Sequence, residues 1–212
     1  MDTQDGKWMR AELYYKKVLS LNPKFASAYS NLGYIYFVNG QFTKAKEYFS
    51  RALILNPMLT DIRLNLVRVF LKESDYKKAI ELCLQNLNFV NDDTGSLFIL
   101  LRIYIQKNDL VSIKKYAYRI INTQDDPQVL TRLGNILAQK GFFDIALDGY
   151  IKAIRVAPDY TDAYLNAGIL LGNRGDYKEA IHIWKLGSSL KLSDPRFKTD
   201  ISKAEELLLS NQ

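Results

Sequence analysis

The sequence holds a single cysteine, Cys83, and a single histidine, His182. One cysteine excludes an intramolecular disulfide and fits a reducing compartment, with the cytoplasm as the expected location. One histidine leaves no Cys/His set for zinc, and no Ser-His-Asp set is supported because that histidine has no suggested partners. Five prolines and eleven glycines are too few for a disordered or low-complexity chain. No apolar run approaches the roughly 20 residues of a membrane span, and stretches such as 97–101 stop far short. Residues 1–10 are polar and lack the apolar core of a secretory signal. Charge of one sign is only mildly in excess. With 29 basic and 23 acidic residues the net charge is +6, a bias towards acidic partners without the dense basic stripe of a nucleic-acid binder. No glycine-rich phosphate loop is present; Gly172-Asn173-Arg174-Gly175 reads as a turn between helices.

What the chain does contain is one pattern copied along its length. Tyr29, Leu32-Gly33, Tyr36, Gly40, Phe42, Ala45, Phe49, Ala52 and Pro57 return as Tyr164, Ala167-Gly168, Leu171, Gly175, Tyr177, Ala180, Trp184 and Gly187. Gly33 and Gly168 stand four periods of about 34 residues apart, less one residue, and such a period marks a stacked solenoid. The registers are 26–59, 60–93, 94–126, 127–160 and 161–194, with 60–93 and 94–126 degenerate. Each unit reads as two helices around a short turn, the first turn falling at Asn39-Gly40, where glycine accepts a left-handed backbone. Pro57 stops the second helix. Gly33, Gly134 and Gly168 are expected to leave room where paired helices cross, with Ala45, Ala79, Ala146 and Ala180 facing them. Val67 and Leu101 replace that glycine in the degenerate units. Cys83 takes the register of Phe49 and Tyr150, a core position. His182 falls outward on a second helix. Asp92-Asp93 and Asp125-Asp126 precede helices, where acids cap and favour the N-terminus.

The two ends differ. Gly6, Trp8, Ala11, Tyr15, Val18, Leu21 and Pro23 match the second half of a unit, so 1–25 reads as the second helix of an incomplete repeat. Continuation upstream of Met1 is the expected explanation; the other is that something covers the face around Trp8, Leu13 and Tyr15. In 195–212, Phe197, Ile201, Ala204, Leu207 and Leu208 form an apolar stripe opposite Lys198, Lys203, Glu205 and Glu206, as a capping helix requires, with Asp194 and Pro195 at its start.

The aromatic, Leu-Gly, Tyr, Ala, aromatic and Pro at these spacings resemble the tetratricopeptide repeat family. Tyr29, Leu32-Gly33, Tyr36, Ala45, Phe49 and Pro57 carry the resemblance best, followed by Leu130, Leu133-Gly134, Ala146, Tyr150 and Pro158. The resemblance covers essentially the whole chain and implies an all-α, right-handed superhelical solenoid of antiparallel helix pairs with a C-terminal capping helix. It implies a protein-interaction module, an adaptor or assembly scaffold, with no catalysis and no cofactor. The family lines its concave groove with first helices. Carried over by register, this gives Ser30, Tyr34, Phe37 and Val38, then Leu64, Arg68, Leu71 and Lys72. Phe98, Arg102, Ile105 and Gln106 follow, then Thr131, Asn135 and Gln139, then Leu165, Ile169 and Asn173. The opposing reading is that Leu64, Phe98 and Ile105 simply pack between helices. Arg68 and Arg102 are one period apart, which fits an extended segment offering acidic groups about three residues apart, at about 3.3 Å per residue across helices roughly 8–10 Å apart.

The expected partner is a protein or peptide, acidic and partly apolar; a second copy of the chain is the other candidate. A chaperone-tail clamp is not expected, because only Asn65 matches its residue set among Ser30, Tyr34, Asn65, Gly95 and Ile99. Nor is RNA, since Tyr34, Arg68, Arg102, Asn135 and Ile169 make no consistent code. Two alternatives stay open: a self-assembling scaffold using the incomplete N-terminal repeat, and the recognition arm of a larger enzyme.

Overall fold

The computed structural model describes residues 4–190 and 194–210, and among these the secondary structure is twelve helices without a strand. Packing gathers the chain into two compact units, Met1–Lys107 and Asn108–Gln212. The first holds α1 (Gln4–Leu21), α2 (Ala26–Val38), α3 (Phe42–Leu55), α4 (Thr60–Lys72), α5 (Tyr76–Phe89) and α6 (Thr94–Gln106). The second holds α7 (Leu110–Thr123), α8 (Pro127–Ala138), α9 (Phe143–Val156), α10 (Thr161–Arg174), α11 (Tyr177–Ser189) and α12 (Pro195–Ser210). Each helix packs on its neighbours in sequence within its unit: α2 on α3, α3 on α4 and α4 on α5 in the first, α8 on α9, α10 on α11 and α11 on α12 in the second. This is the all-α repeat solenoid expected from the period.

Turn chemistry explains where the helices break. Gly40, Gly141 and Gly175 adopt φ of 72°, 82° and 91°, a left-handed region that side chains resist. At the same register Ser74 and Asn108 take φ of 59° and 53° without being glycine. Aspartates then start many of the helices. Asp93 accepts from the Ser96 amide at 2.7 Å, Asp126 from Gln128 at 2.8 Å and Asp194 from Arg196 at 2.9 Å. Asp75 and Asp109 cap α5 and α7 in the same way.

The packing of the helix pairs turns on the recurring glycine. A Cβ on Gly33 would lie 2.6 Å from the Phe49 ring. On Gly134 it would strike Tyr150, and on Gly168 it would strike Trp184, closer still. The group nearest each glycine is therefore an aromatic ring of the second helix and not the alanine expected there; Ala45, Ala146 and Ala180 are wholly buried beside it. Around these pairs, Leu32, Tyr36, Phe49, Leu66 and Val69 form one core, and Tyr164, Leu171, Trp184 and Phe197 another.

The pair α4/α5 is built differently. Val67 stands at the glycine register and Cys83 at the aromatic register, and both are fully buried. Burial pushes the Cys83 thiol up to about 12. Beside them lies a buried polar cluster. Arg63, 4% exposed, donates to Asn86 Oδ1 at 2.7 Å and to the Pro57 carbonyl at 2.5 Å, and its guanidinium lies over the Phe89 ring at 4.8 Å. Asn86 in turn donates to the Thr60 carbonyl at 3.1 Å. In α10 the same register carries Tyr164, whose hydroxyl donates to the Pro158 carbonyl at 2.9 Å. Two unlike side chains thus hold the same loop carbonyl before a first helix.

Candidate interaction surface

The first helices of each unit carry the residues that register assigns to a binding surface. In the first unit Tyr34 on α2 is 43% exposed, and Arg68 on α4 and Arg102 on α6 are exposed at the equivalent position. Arg68 Nη1 donates to Asn65 Oδ1 at 2.6 Å, one turn back on its own helix. No carboxylate pairs with Arg68 or Arg102 among the described residues. Lys72 is exposed, while Leu64, Leu71 and Ile105 are half-buried. Phe37 is half-buried because its ring packs 5.9 Å from that of Phe42. Val38 is exposed, Ser30 bonds back to the Ser27 carbonyl, and Gln106 donates to the Tyr76 hydroxyl at 2.9 Å.

Phe98 departs from the expected surface. It is 7% exposed, so its ring serves packing within α6's surroundings and offers little to a ligand. Leu64 also serves packing in part, since it fills the space left by the missing side chain of Gly95.

The second unit follows the same split. Asn135 on α8 is exposed and accepts from the Tyr150 hydroxyl at 2.6 Å. That bond commits its amide oxygen to holding the ring that packs on Gly134. Ile169 on α10 is 43% exposed, and Gln139 and Asn173 are exposed. Thr131 and Leu165, one turn earlier, are buried at 4% and 2%. Within each unit the register of Tyr34, Arg68, Arg102, Asn135 and Ile169 is open every time, and the register one turn before it ranges from half-buried to buried.

His182 is exposed on α11. Among the described residues no three His, Cys, Asp or Glu side chains gather as a metal ion would need, and no helix is long and apolar enough to cross a membrane. Asp125 pairs with Lys152 at 2.9 Å, and Arg174 bridges Asp144 and Asp176. The face of α1 is more covered than its register implied. Trp8 sits edge-on to Tyr34 with centroids 6.1 Å apart, and Tyr15 packs into the core of α2, α3 and α4, because α1 lies on α2. Of Trp8, Leu13 and Tyr15, only Leu13 is open, at 65%. Glu12 on α1 accepts from the Tyr36 hydroxyl at 2.7 Å and pairs with Lys16 at 2.6 Å, which holds its carboxyl below the usual range.

Comparison with known proteins agrees with this architecture. Two models described as tetratricopeptide repeat match residues 26–59 and 131–184. No curated protein sequence matches the chain. Among solved structures, YrrB, described as a TPR protein with an unusual peptide-binding site, superposes with a TM-score of 0.54 at 18% identity, covering 89% of this chain and 97% of that one. The C-terminal part of a TPR repeat-containing protein from Cytophaga hutchinsonii gives 0.67 at 14% identity, over 96% and 82%. Yeast Tom70 gives 0.59 at 18% identity, over all of this chain and 44% of that one. At these identities the likeness is one of fold.

Proposed function

Because the chain belongs to the tetratricopeptide repeat family, whose members are in general protein-interaction modules, we propose that it binds an extended segment of another protein along its first helices, as an adaptor or assembly scaffold. The observation that supports this is the open register of the first unit. Tyr34, Arg68 and Arg102 are exposed at equivalent points of α2, α4 and α6, and neither arginine is paired with an acid among the described residues. Half-buried Leu64, Leu71 and Ile105 supply apolar ground between them. Arginine beside apolar surface is the composition of a protein interface. The partner's matching chemistry is an acidic segment with interspersed apolar residues, and the chain's net charge of +6 favours its approach.

The test uses a labelled peptide with aspartates three residues apart and leucines between, measured by fluorescence anisotropy. Replacing Arg68→Ala and Arg102→Ala together is expected to weaken binding by about 1.5–3 kcal/mol for each arginine–carboxylate hydrogen bond removed. Unchanged affinity in the double variant would discard the reading. A self-assembling scaffold through α1 has less support, since Trp8 and Tyr15 are turned onto α2.

A further inference from the structure

A second surface is lined by none of the residues of the open register. Helices α1 and α3 both pack on α2 and leave a cleft of about 660 Å³ between them. Its apolar and aromatic lining is Leu19 from α1, Tyr29 from α2, and Tyr48 and Ile54 from α3, and Ser50 lines it as well. The Tyr29 and Tyr48 rings are tilted together with centroids 6.2 Å apart. Ile54 is 69% exposed, a large aliphatic side chain left in water at the mouth. A cavity of this size falls within the range that holds small ligands and anchoring side chains, roughly 300–1,000 Å³.

Two cations stand at the rim, Lys16 and Arg51. Lys16 is already neutralised by Glu12 at 2.6 Å. Arg51 is exposed and has no acid paired to it among the described residues, although Glu47 lies one turn before it on α3 and also lines the cleft. Apolar side chains beside the Arg51 guanidinium suit an apolar side chain with a carboxylate next to it, seated so that the carboxylate meets Arg51 and not Glu47.

We propose that this cleft is a separate peptide-anchoring site, which takes a phenylalanine or leucine flanked by aspartate or glutamate from an acidic partner. The apolar side chain lies on Tyr29, Tyr48 and Ile54, and the neighbouring carboxylate bonds Arg51. The site does not depend on Arg68 or Arg102, so it stands or falls apart from the first-helix surface.

The experiment is an amide-shift titration of the ¹⁵N-labelled full chain with acetyl-Asp-Phe-Asp-amide, and with acetyl-Lys-Phe-Lys-amide as the charge-reversed control. The acidic peptide is expected to move the amides around Lys16, Leu19, Tyr29, Arg51 and Ile54, with an effect that shrinks as salt rises. Arg51→Glu is expected to weaken it about tenfold or more, and Arg51→Lys by less. Ile54→Asp, at a position 69% exposed, is expected to abolish it while the remaining amides keep their shifts. Arg68→Ala with Arg102→Ala is expected to leave it unchanged. Equal shifts from both peptides, indifference to Arg51→Glu and Ile54→Asp, or shifts confined to α4 and α6 would each overturn the proposal.

Discussion

Two helix pairs of the first unit solve one packing problem in opposite ways. In α2/α3 the first helix gives up its side chain at Gly33 and the second fills the space with Phe49. In α4/α5 the first helix carries Val67 and the second shrinks to Cys83. The pairs α8/α9 and α10/α11 follow α2/α3, with Tyr150 and Trp184 as the filling rings. What the repeat keeps is therefore the combined volume at the crossing, and the residue type at either register is secondary. Interiors are packed densely enough that volume added on one side must be removed from the other. A repeat that looks degenerate by its signature residues can thus be sound by its packing.

The largest effect is expected where the exchange is broken on one side only. Gly168→Leu drives a side chain into Trp184, displaces the ring and removes its bond to the Leu165 carbonyl. A loss of at least about 3 kcal/mol in urea unfolding is expected. A loss under about 1 kcal/mol would mean that the ring moves aside freely and that the glycine is not required.

The comparison is sharpened by exchanging one solution for the other. Gly33→Val alone overpacks α2/α3, and Phe49→Cys alone leaves a cavity that costs about 3–5 kcal/mol. Combined, they recreate the Val67/Cys83 arrangement, and a coupling of about 1–3 kcal/mol in the recovering direction is expected from the double-mutant cycle. Additivity within about 0.5 kcal/mol would refute the volume exchange.

Alkaline titration reads both kinds of pair at once. Burial raises Tyr36 and Tyr150 from an ordinary 10.0 to about 12, and Cys83 from 9.0 to about 12. For Tyr36 the bond to Glu12 raises it further. In each case the native state holds its proton more tightly than the unfolded chain. The stabilisation is full below the ordinary value and is lost as pH rises towards 12. Helical signal in fixed urea is expected to fall over that window. Cys83→Ala should remove the share of α4/α5, and Tyr150→Phe that of α8/α9. A stability flat from pH 9 to 12 would contradict these shifts.

The smallest effect concerns the turns. Ser74 holds φ of 59° where Gly40 and Gly175 stand in other pairs. Ser74→Gly is expected to stabilise the chain by about 1 kcal/mol, with Gly175→Ala losing a similar amount. Calorimetry on the two variants checks both signs.

Much of this architecture was legible in the residues themselves. The period, the turns at Gly40 and Gly175, and the caps at Asp93 and Asp126 follow from local chemistry that each segment carries alone. What faces Gly33 was not legible, because a one-dimensional register places Ala45 and Phe49 on the same helical face, and only the helix crossing decides which meets the glycine. The surface was half legible. Tyr34, Arg68 and Arg102 are exposed at the register assigned to the groove. Phe98 and Leu165 are covered, since exposure one turn earlier depends on how closely neighbouring elements approach. No spacing singles out Arg63 and Asn86, because their burial rests on their bond to each other and on the Pro57 and Thr60 carbonyls. The cleft between α1 and α3 arises from two helices standing on either side of a third, and no spacing along the chain signals it.

The small residue that balances Val67 is also the chain's single thiol. Sealed at 0% exposure and held protonated far above neutrality, Cys83 cannot meet an alkylating reagent while α5 stays packed on α4 and α6. Its labelling rate at neutral pH is therefore a clock for the opening of the packing around α5, wound by the same volume exchange that let a cysteine take the place of an aromatic ring.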